Sequence, residues 1–590
     1  MLSETLKNIV HFPKLVQKRV WFLWSFYFLF QVGFLFVWIL TSTLFLKIFG
    51  IANIPYLFLV EGIAIIAGSL LTKYYFLKTN TNKFIKTAVT VILGLILASV
   101  FVQELTFVIF AVALFTKSLI YPQVQLGLFK KIESFFSPNM ARKAIPFIET
   151  AETAGLVFGS LFALGILQIS TNLFSLFYWW AVPLLAMLLL LKRESLFVKK
   201  IKHLPISIKE SNRINEKSLF ANGRKSFILP LLILVGVQSM LFASVEISFL
   251  REVESHHTEI ETGITLSLDS LQANSFDITK IVQNLETKVA LTAEKTVAHE
   301  LGIFALATGF IALFFKLFVT ARVVRKLGVF GSIFSFFSFL FAGILAFVFG
   351  KTSAEILKGV QHGTYSFFAS PYHLSFYAYN QKIRERLRHL LHGIIWPLGA
   401  IFASCLFLIQ ISVSIILPIL VVAALIISWQ LKNKFSVFSF QNYQEAKNIE
   451  EKLHILEVLS SFKKSDIAKK LAKELLQKYQ PQILRKKIVA ALVDLKDSSV
   501  VHEYLHILND ETESVELKII VLEALHEDKN LKKYCAKKAF TESKLLETWQ
   551  NLFALTENSH LKKLVVMNIF KHISNEKVVL FLRDILAQGN

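Results

Sequence analysis

Cysteine is nearly absent from this chain: its 590 residues hold Cys405 and Cys535 and no others. One lies inside an apolar run and the other near the C-terminus, so neither a disulfide framework nor a cysteine-based metal cluster is available. A Gly-rich P-loop with its paired Lys and Ser or Thr is missing too, which argues against ATP hydrolysis by this chain, and no cofactor is expected. The most informative scarcity concerns charge. The gaps between apolar runs near residues 103, 170 and 411 carry no Lys or Arg, although the chain as a whole has a net charge of +22.

What fills the chain is hydrophobic: 54% of residues, with 56 Phe. Such a chain is too apolar and too long for one soluble domain. Apolar runs centred near residues 33, 62, 92, 112, 157, 182, 238, 310, 339, 365, 400 and 421 are each about long enough to cross a ~30 Å hydrocarbon core as a helix. If each crosses once, the five gaps that hold blocks of Lys and Arg (73–86, 130–143, 192–225, 322–326 and 382–388) all fall on one side, together with Lys7, Lys14, Lys18 and Arg19 before the first run and Lys432 and Lys434 after the last. Positive charge resists translocation, so that side is cytoplasmic and both termini lie inside. The expectation is an integral multi-pass protein of a bacterial-type plasma (inner) membrane, with the lipid bilayer as its partner and no nucleic acid. The first run is longer than a signal-peptide core and is read as a retained span.

The all-α organisation expected is a cytoplasmic N-terminus over 1–19, six spans over 20–191, a charged cytoplasmic linker over 192–225, and six more spans over 226–434. An outside insertion, 251–298, is read as a tolerated surface segment in preference to a gate, with an amphipathic helix through Ile281, Val282, Leu285 and Val289 lying on the outer face. From 435 to 590 no run is long enough to span. Segments starting at Lys452, Leu484, Leu517 and Leu561 instead share a basic start and helical apolar spacing, the first three 32 and 33 residues apart and the last after 44. Paired helices at that period cannot bury their faces alone, so a cytoplasmic HEAT-like α-solenoid is expected, offering a surface to a cytoplasmic protein partner.

Ionisable groups at membrane depth are costly unless they face a cavity or a partner. Glu149 and Glu152 lie one turn apart in span five, with Gly155 and Gly159 on the face of Glu152 as a small-residue packing strip. In span ten, Glu355, Lys358, His362 and Ser366 fall within about 80° of one another on a helical wheel. Two readings stand for that stripe: a water-lined pathway, or Glu355 and Lys358 neutralising each other. Leu357 and Ile356 are expected to face lipid. Glu61 in span two and Glu246 in span seven join the pathway candidates, as does Gln31, whereas Lys117 and Lys316 are expected to snorkel towards the headgroups. HEYLH, His502 to His506, matches the HExxH zinc pattern, but the apolar stripe through Val501, Tyr504, Leu505 and Leu508 puts both histidines on the solvated side. No metal site and no enzyme activity are expected from it.

Six spans, a long cytoplasmic linker and six more spans is an arrangement that resembles the major facilitator superfamily. ARKAIPFIETAETAGLVFGSL, Ala141 to Leu161, resembles the loop and fifth helix of the ATP/ADP translocase (nucleotide transporter) family. KIRERLRHLLHGIIWPLGAIFA, Lys382 to Ala403, is similar to that family's eleventh span with its basic lead-in, and TARVVRKLGVFGS, Thr320 to Ser332, resembles more loosely the basic-Gly connector before span nine. The resemblance implies a secondary transporter or exchanger of an anionic metabolite such as a nucleotide, with Glu149 or Glu152 as the span-five carboxylate. Lys358 is suggested from its depth as the phosphate-facing cation. Arg142, Lys143, Arg384, Arg386 and Arg388 would concentrate anions at the inner mouth. The competing expectation is a transport-inactive or other-substrate membrane anchor for an interaction scaffold.

Overall fold

The computed structural model describes residues 13–583 apart from 79–80, 103–104, 137, 171, 195–224, 270–277, 380, 447, 461–464, 496–499, 528–538, 574–578 and 582. Most of the expected central linker therefore lies outside the described residues. The described residues are all-α, with no strand among them, and divide into two compact units, 1–376 with 381–433 and 377–380 with 434–590.

The first unit is built from α1 (Lys14–Phe49), α2 (Ile54–Lys78), α3 (Thr81–Ser99), α4 (Thr106–Phe115), α5 (Tyr121–Phe135), α6 (Pro138–Ile148), α7 (Thr150–Ile169), α8 (Ser175–Trp179) and α9 (Ala181–Lys192). It continues with α10 (Lys225–Asp269), α11 (Ile278–Phe314), α12 (Ala321–Val348), α13 (Ala354–Thr364), α14 (Ser366–Ser375), α15 (Gln381–Leu390), α16 (Trp396–Leu408) and, up to residue 433, α17 (Val413–Glu445). Eleven helices among the described residues are long and apolar enough to cross a membrane. The tenth crossing in chain order differs, because α13 and α14 are only 11 and 10 residues long and meet at Tyr365. A helix carrying Glu355, Lys358 and His362 is too polar to count by composition, and it depends on partners for its place.

Three single turns of π-helix, Thr116–Ile120, Phe315–Thr320 and Leu391–Ile395, interrupt spans four, eight and eleven. Such widened turns recur at functional sites because they re-aim a side chain at the cost of backbone hydrogen-bond geometry. Gly328, with φ 75° and ψ −177°, breaks the helical path between spans eight and nine, a conformation that side chains strongly disfavour.

The helices pack in a symmetric plan. Within the bundles α1 lies on α7 and α10 on α16; between them α7 lies on α11 and α2 on α16. Glycine makes these approaches possible. A Cβ on Gly155 would sit 2.6 Å from Gln31 Cβ and 2.8 Å from the Phe28 carbonyl oxygen, so the Gly155 and Gly159 strip is the seat of α1. Outside 270–277, the residues of the insertion between spans seven and eight continue the span helices themselves, since α10 and α11 run on well past the apolar segments. The helix expected at Ile281 to Val289 is part of α11, not a separate element on the outer face.

The second unit holds α18 (Ile449–Leu459), α19 (Ser465–Leu475), α20 (Gln482–Leu495), α21 (Val501–Asn509), α22 (Val515–Glu527), α23 (Ala539–Leu555) and α24 (Ser559–His572). The four repeated segments are α18, α20, α22 and α24, and each packs on the next. Their contacts bury one continuous core through Leu456, Ile488, Leu492, Val521, Leu522 and Val565. Arg485 crosses between repeats, donating to both Glu513 oxygens at 2.8 and 2.5 Å and to the Leu475 carbonyl at 2.9 Å.

Candidate functional site

Two buried lysine-carboxylate pairs face a cavity of about 300 Å³ between the bundles. In the first, Lys117, held in the π turn after α4, reaches Glu61 Oε1 on α2 at 2.7 Å and Thr41 Oγ1 on α1 at 3.4 Å. In the second, Lys358 on α13 lies 2.5 Å from Glu246 Oε2 on α10. The Lys358 ammonium also stands over the rings of Phe249 at 4.0 Å and Trp38 at 5.0 Å, an arrangement that offsets part of its desolvation. His362, one turn beyond Lys358, completes the polar wall, and Phe34, Trp38, Phe58, Phe242, Phe304 and Trp396 supply the apolar one.

A third pair lies apart from this cavity, towards the basic end of the bundles. Lys316, in the π turn after α11, bonds Glu152 Oε2 at 2.7 Å and the Glu149 carbonyl at 3.0 Å. The Glu149 carboxylate accepts from the Ser370 hydroxyl on α14. Further contacts tie the bundles together at that end: Lys130 to Glu385 at 3.3 Å, and His389 Nε2 to the Ser69 hydroxyl at 3.0 Å. The Arg388 guanidinium stacks on Phe129 and Phe376. The bundles are thus closed at the end rich in Lys and Arg.

The structure gathers Glu61, Glu246, Lys358 and His362 around one cavity and places Glu149 and Glu152 at a separate junction. Several expectations need correction. Lys117 and Lys316 do not snorkel: they are 8% and 4% exposed, because each has a carboxylate on a neighbouring helix. Lys358 pairs with Glu246 rather than Glu355, which lies in the first turn of α13, where its backbone N–H donates to Glu252. The stripe does not run on to Ser366, since the helix breaks at Tyr365 and the Ser366 hydroxyl bonds Thr320 at 2.7 Å. Leu357 is buried, and only Ile356 of that couple is exposed. Arg384 and Arg388 are buried, not offered at an open mouth; Arg386 is half-buried, Lys143 is exposed, and the Arg142 side chain lies outside the described residues. In the tail, His502 and His506 are exposed on α21.

The sequence signal for Lys117 was present but weak: a lysine between Thr116 and Ser118 within an apolar run. Nothing local identified its partner.

No protein-family model matches the sequence, and no curated protein matches it. Solved structures similar to it include a bacterial homologue of the iron transporter ferroportin in an outward-facing state, at a TM-score of 0.48 and 15% identity over 72% of this chain and 100% of that one. The human organic anion transporter MFSD10 (TETRAN) gives 0.46 and 10% over 70% and 99%. The nucleoside transporter NupG gives 0.40 and 13% over 72% and 99%. At such identities no shared substrate follows.

Proposed function

We propose that this chain is a secondary transporter of the major-facilitator type, moving a small charged metabolite by alternating access. The observation that carries the reading is the cavity between two six-span bundles, walled by Lys117 with Glu61 from one bundle and Lys358 with Glu246 from the other. A membrane anchor has no use for four desolvated charges around a space, and their cost points to a solute that engages them. Closure at the basic end, through Lys130 with Glu385 and Lys316 with Glu152, fits one of the two states that such a cycle requires. In this reading the basic end is cytoplasmic and the membrane is a bacterial-type inner membrane.

The expectation of a nucleotide exchanged in ATP/ADP fashion finds two cations in the cavity, but each is already held by a carboxylate. The tail, with its repeated helices stacked in order, fits a HEAT-like solenoid that docks a cytoplasmic protein.

The test uses single cysteines in a background with Cys405 and Cys535 replaced by Ser. His362→Cys should react with a water-soluble thiol reagent from either side of oriented vesicles, because the cavity opens alternately, while lipid-facing Ile356→Cys should not. Reactivity from one side under every condition, or equal labelling at both positions, sinks the transporter reading.

A further inference from the structure

We infer that the cavity takes a small zwitterion of the amino-acid type, with an ammonium and a carboxylate on one carbon and an apolar remainder. The inference rests on the transporter reading for its biological sense, but its chemistry comes from the cavity wall. Lys117 is balanced by Glu61 at 2.7 Å and Lys358 by Glu246 at 2.5 Å, so the two pairs sum to no net charge. A polyanion entering such a space would shed its hydration and find both cations already neutralised, which is the costly case of an uncompensated buried charge. A zwitterion adds no net charge. It can exchange partners with a pair, its ammonium taking the glutamate and its carboxylate the lysine.

The second pair is prepared for that exchange. Glu246 Oε1 is buried with no hydrogen-bond partner. The Lys358 ammonium lies 2.5 Å from Glu246 Oε2, and aromatic faces surround it. Glu246 Oε1 is thus an acceptor with capacity to spare beside a paired lysine, and an unmet buried polar group is costly until a ligand supplies what it lacks. An amino-acid head group presents the complementary donor and acceptor. Lys117, by contrast, is bonded to both Glu61 and Thr41.

Size and wall chemistry agree. A cavity of about 300 Å³ is at the small end of ligand pockets. That suits an amino acid. Trp38, Phe34, Phe58 and Trp396 offer the apolar remainder a flat, polarisable surface.

The experiment is equilibrium binding to the purified full-length protein, using L-phenylalanine, L-leucine, L-isoleucine and L-tryptophan as separate probes. The counter-probes are 3-phenylpropionate, phenethylamine, inorganic phosphate and ATP. At least one amino acid should bind, and removing its ammonium or its carboxylate should weaken binding at least about tenfold. The double variant Glu246→Gln/Lys358→Gln keeps the wall neutral; it should melt like the parent without ligand and lose the binding. The inference is overturned if none of the four binds at about 10 mM, or if 3-phenylpropionate, phosphate or ATP binds as tightly as the best amino acid. It is also overturned if the folded double variant binds unchanged. Uptake into proteoliposomes separates the two claims. Binding without uptake removes the transporter reading and leaves the zwitterion site standing, whereas uptake of an anion without amino-acid binding does the reverse.

Discussion

Replacing Lys316 by Met strands a carboxylate at the junction of the two bundles. The Lys316 Nζ is 2.7 Å from Glu152 Oε2, with side-chain exposures of 4% and 19%. It also donates to the Glu149 carbonyl at 3.0 Å. At 2.7 Å an effective dielectric constant of about 20 gives an attraction of about 6 kcal/mol. Desolvation of the two ions consumes most of it, so the pair's net worth is small even though the loss of one partner is not. Lys316→Met should therefore destabilise the protein by about 3–5 kcal/mol, and Glu152→Met by a similar amount. The double replacement should recover most of the loss, so the coupling in the cycle should exceed either single effect. Thermal denaturation of the four detergent-purified proteins measures this. Because the pair joins α7 to the turn after α11, the double variant should remain folded yet transport at an altered rate. Additive single and double effects would refute the claim that these two charges depend on each other.

Gly155→Ala should separate α7 from α1 and cost about 1–3 kcal/mol by overpacking, because its Cβ would meet the Phe28 carbonyl oxygen at 2.8 Å. Gly165→Ala, with nothing within 4 Å of the added atom, should leave the melting temperature unchanged or raise it. In the tail, Arg485→Lys should fail to replace the two-pronged bond to Glu513 and should lower the melting temperature of a 434–590 fragment nearly as much as Arg485→Ala. Unchanged melting of the Lys variant would show that a single point charge suffices. Burial lowers the His572 pKa to about 4, with repulsion from Lys571 and His526 adding to it. The unfolded chain then binds the proton more readily between about pH 6.5 and 4. The stability this histidine contributes is complete above that window and lost as pH falls through it; the urea midpoint of the fragment should drop across the window, and less steeply in His572→Phe.

Much of the plan was legible in the chain. The positions of eleven of the twelve expected spans follow from run length, because hydrocarbon thickness acts on local sequence. The tail's helices were legible for a related reason. Repeats bury their faces against neighbours close in the chain, so the period of Lys452, Leu484 and Leu517 already marks the helices α18, α20 and α22 that stack. Depth likewise marked Glu61, Glu246, Lys358 and His362 as residues in need of partners.

The partners themselves were decided only in three dimensions. Lys117 meets Glu61 from 56 residues away and Lys316 meets Glu152 from 164, and in the sequence both lysines read as groups that reach the headgroups. Lys358 passes over Glu355, one turn away on its own helix, for Glu246 on α10. Hydropathy registers that a charge lies deep, and one helix registers which side chains share its face, but neither contains the position of the next helix. In a medium without water to solvate a lone ion, that neighbouring carboxylate determines whether a lysine stays buried, and packing across glycines such as Gly155 determines which carboxylate it finds.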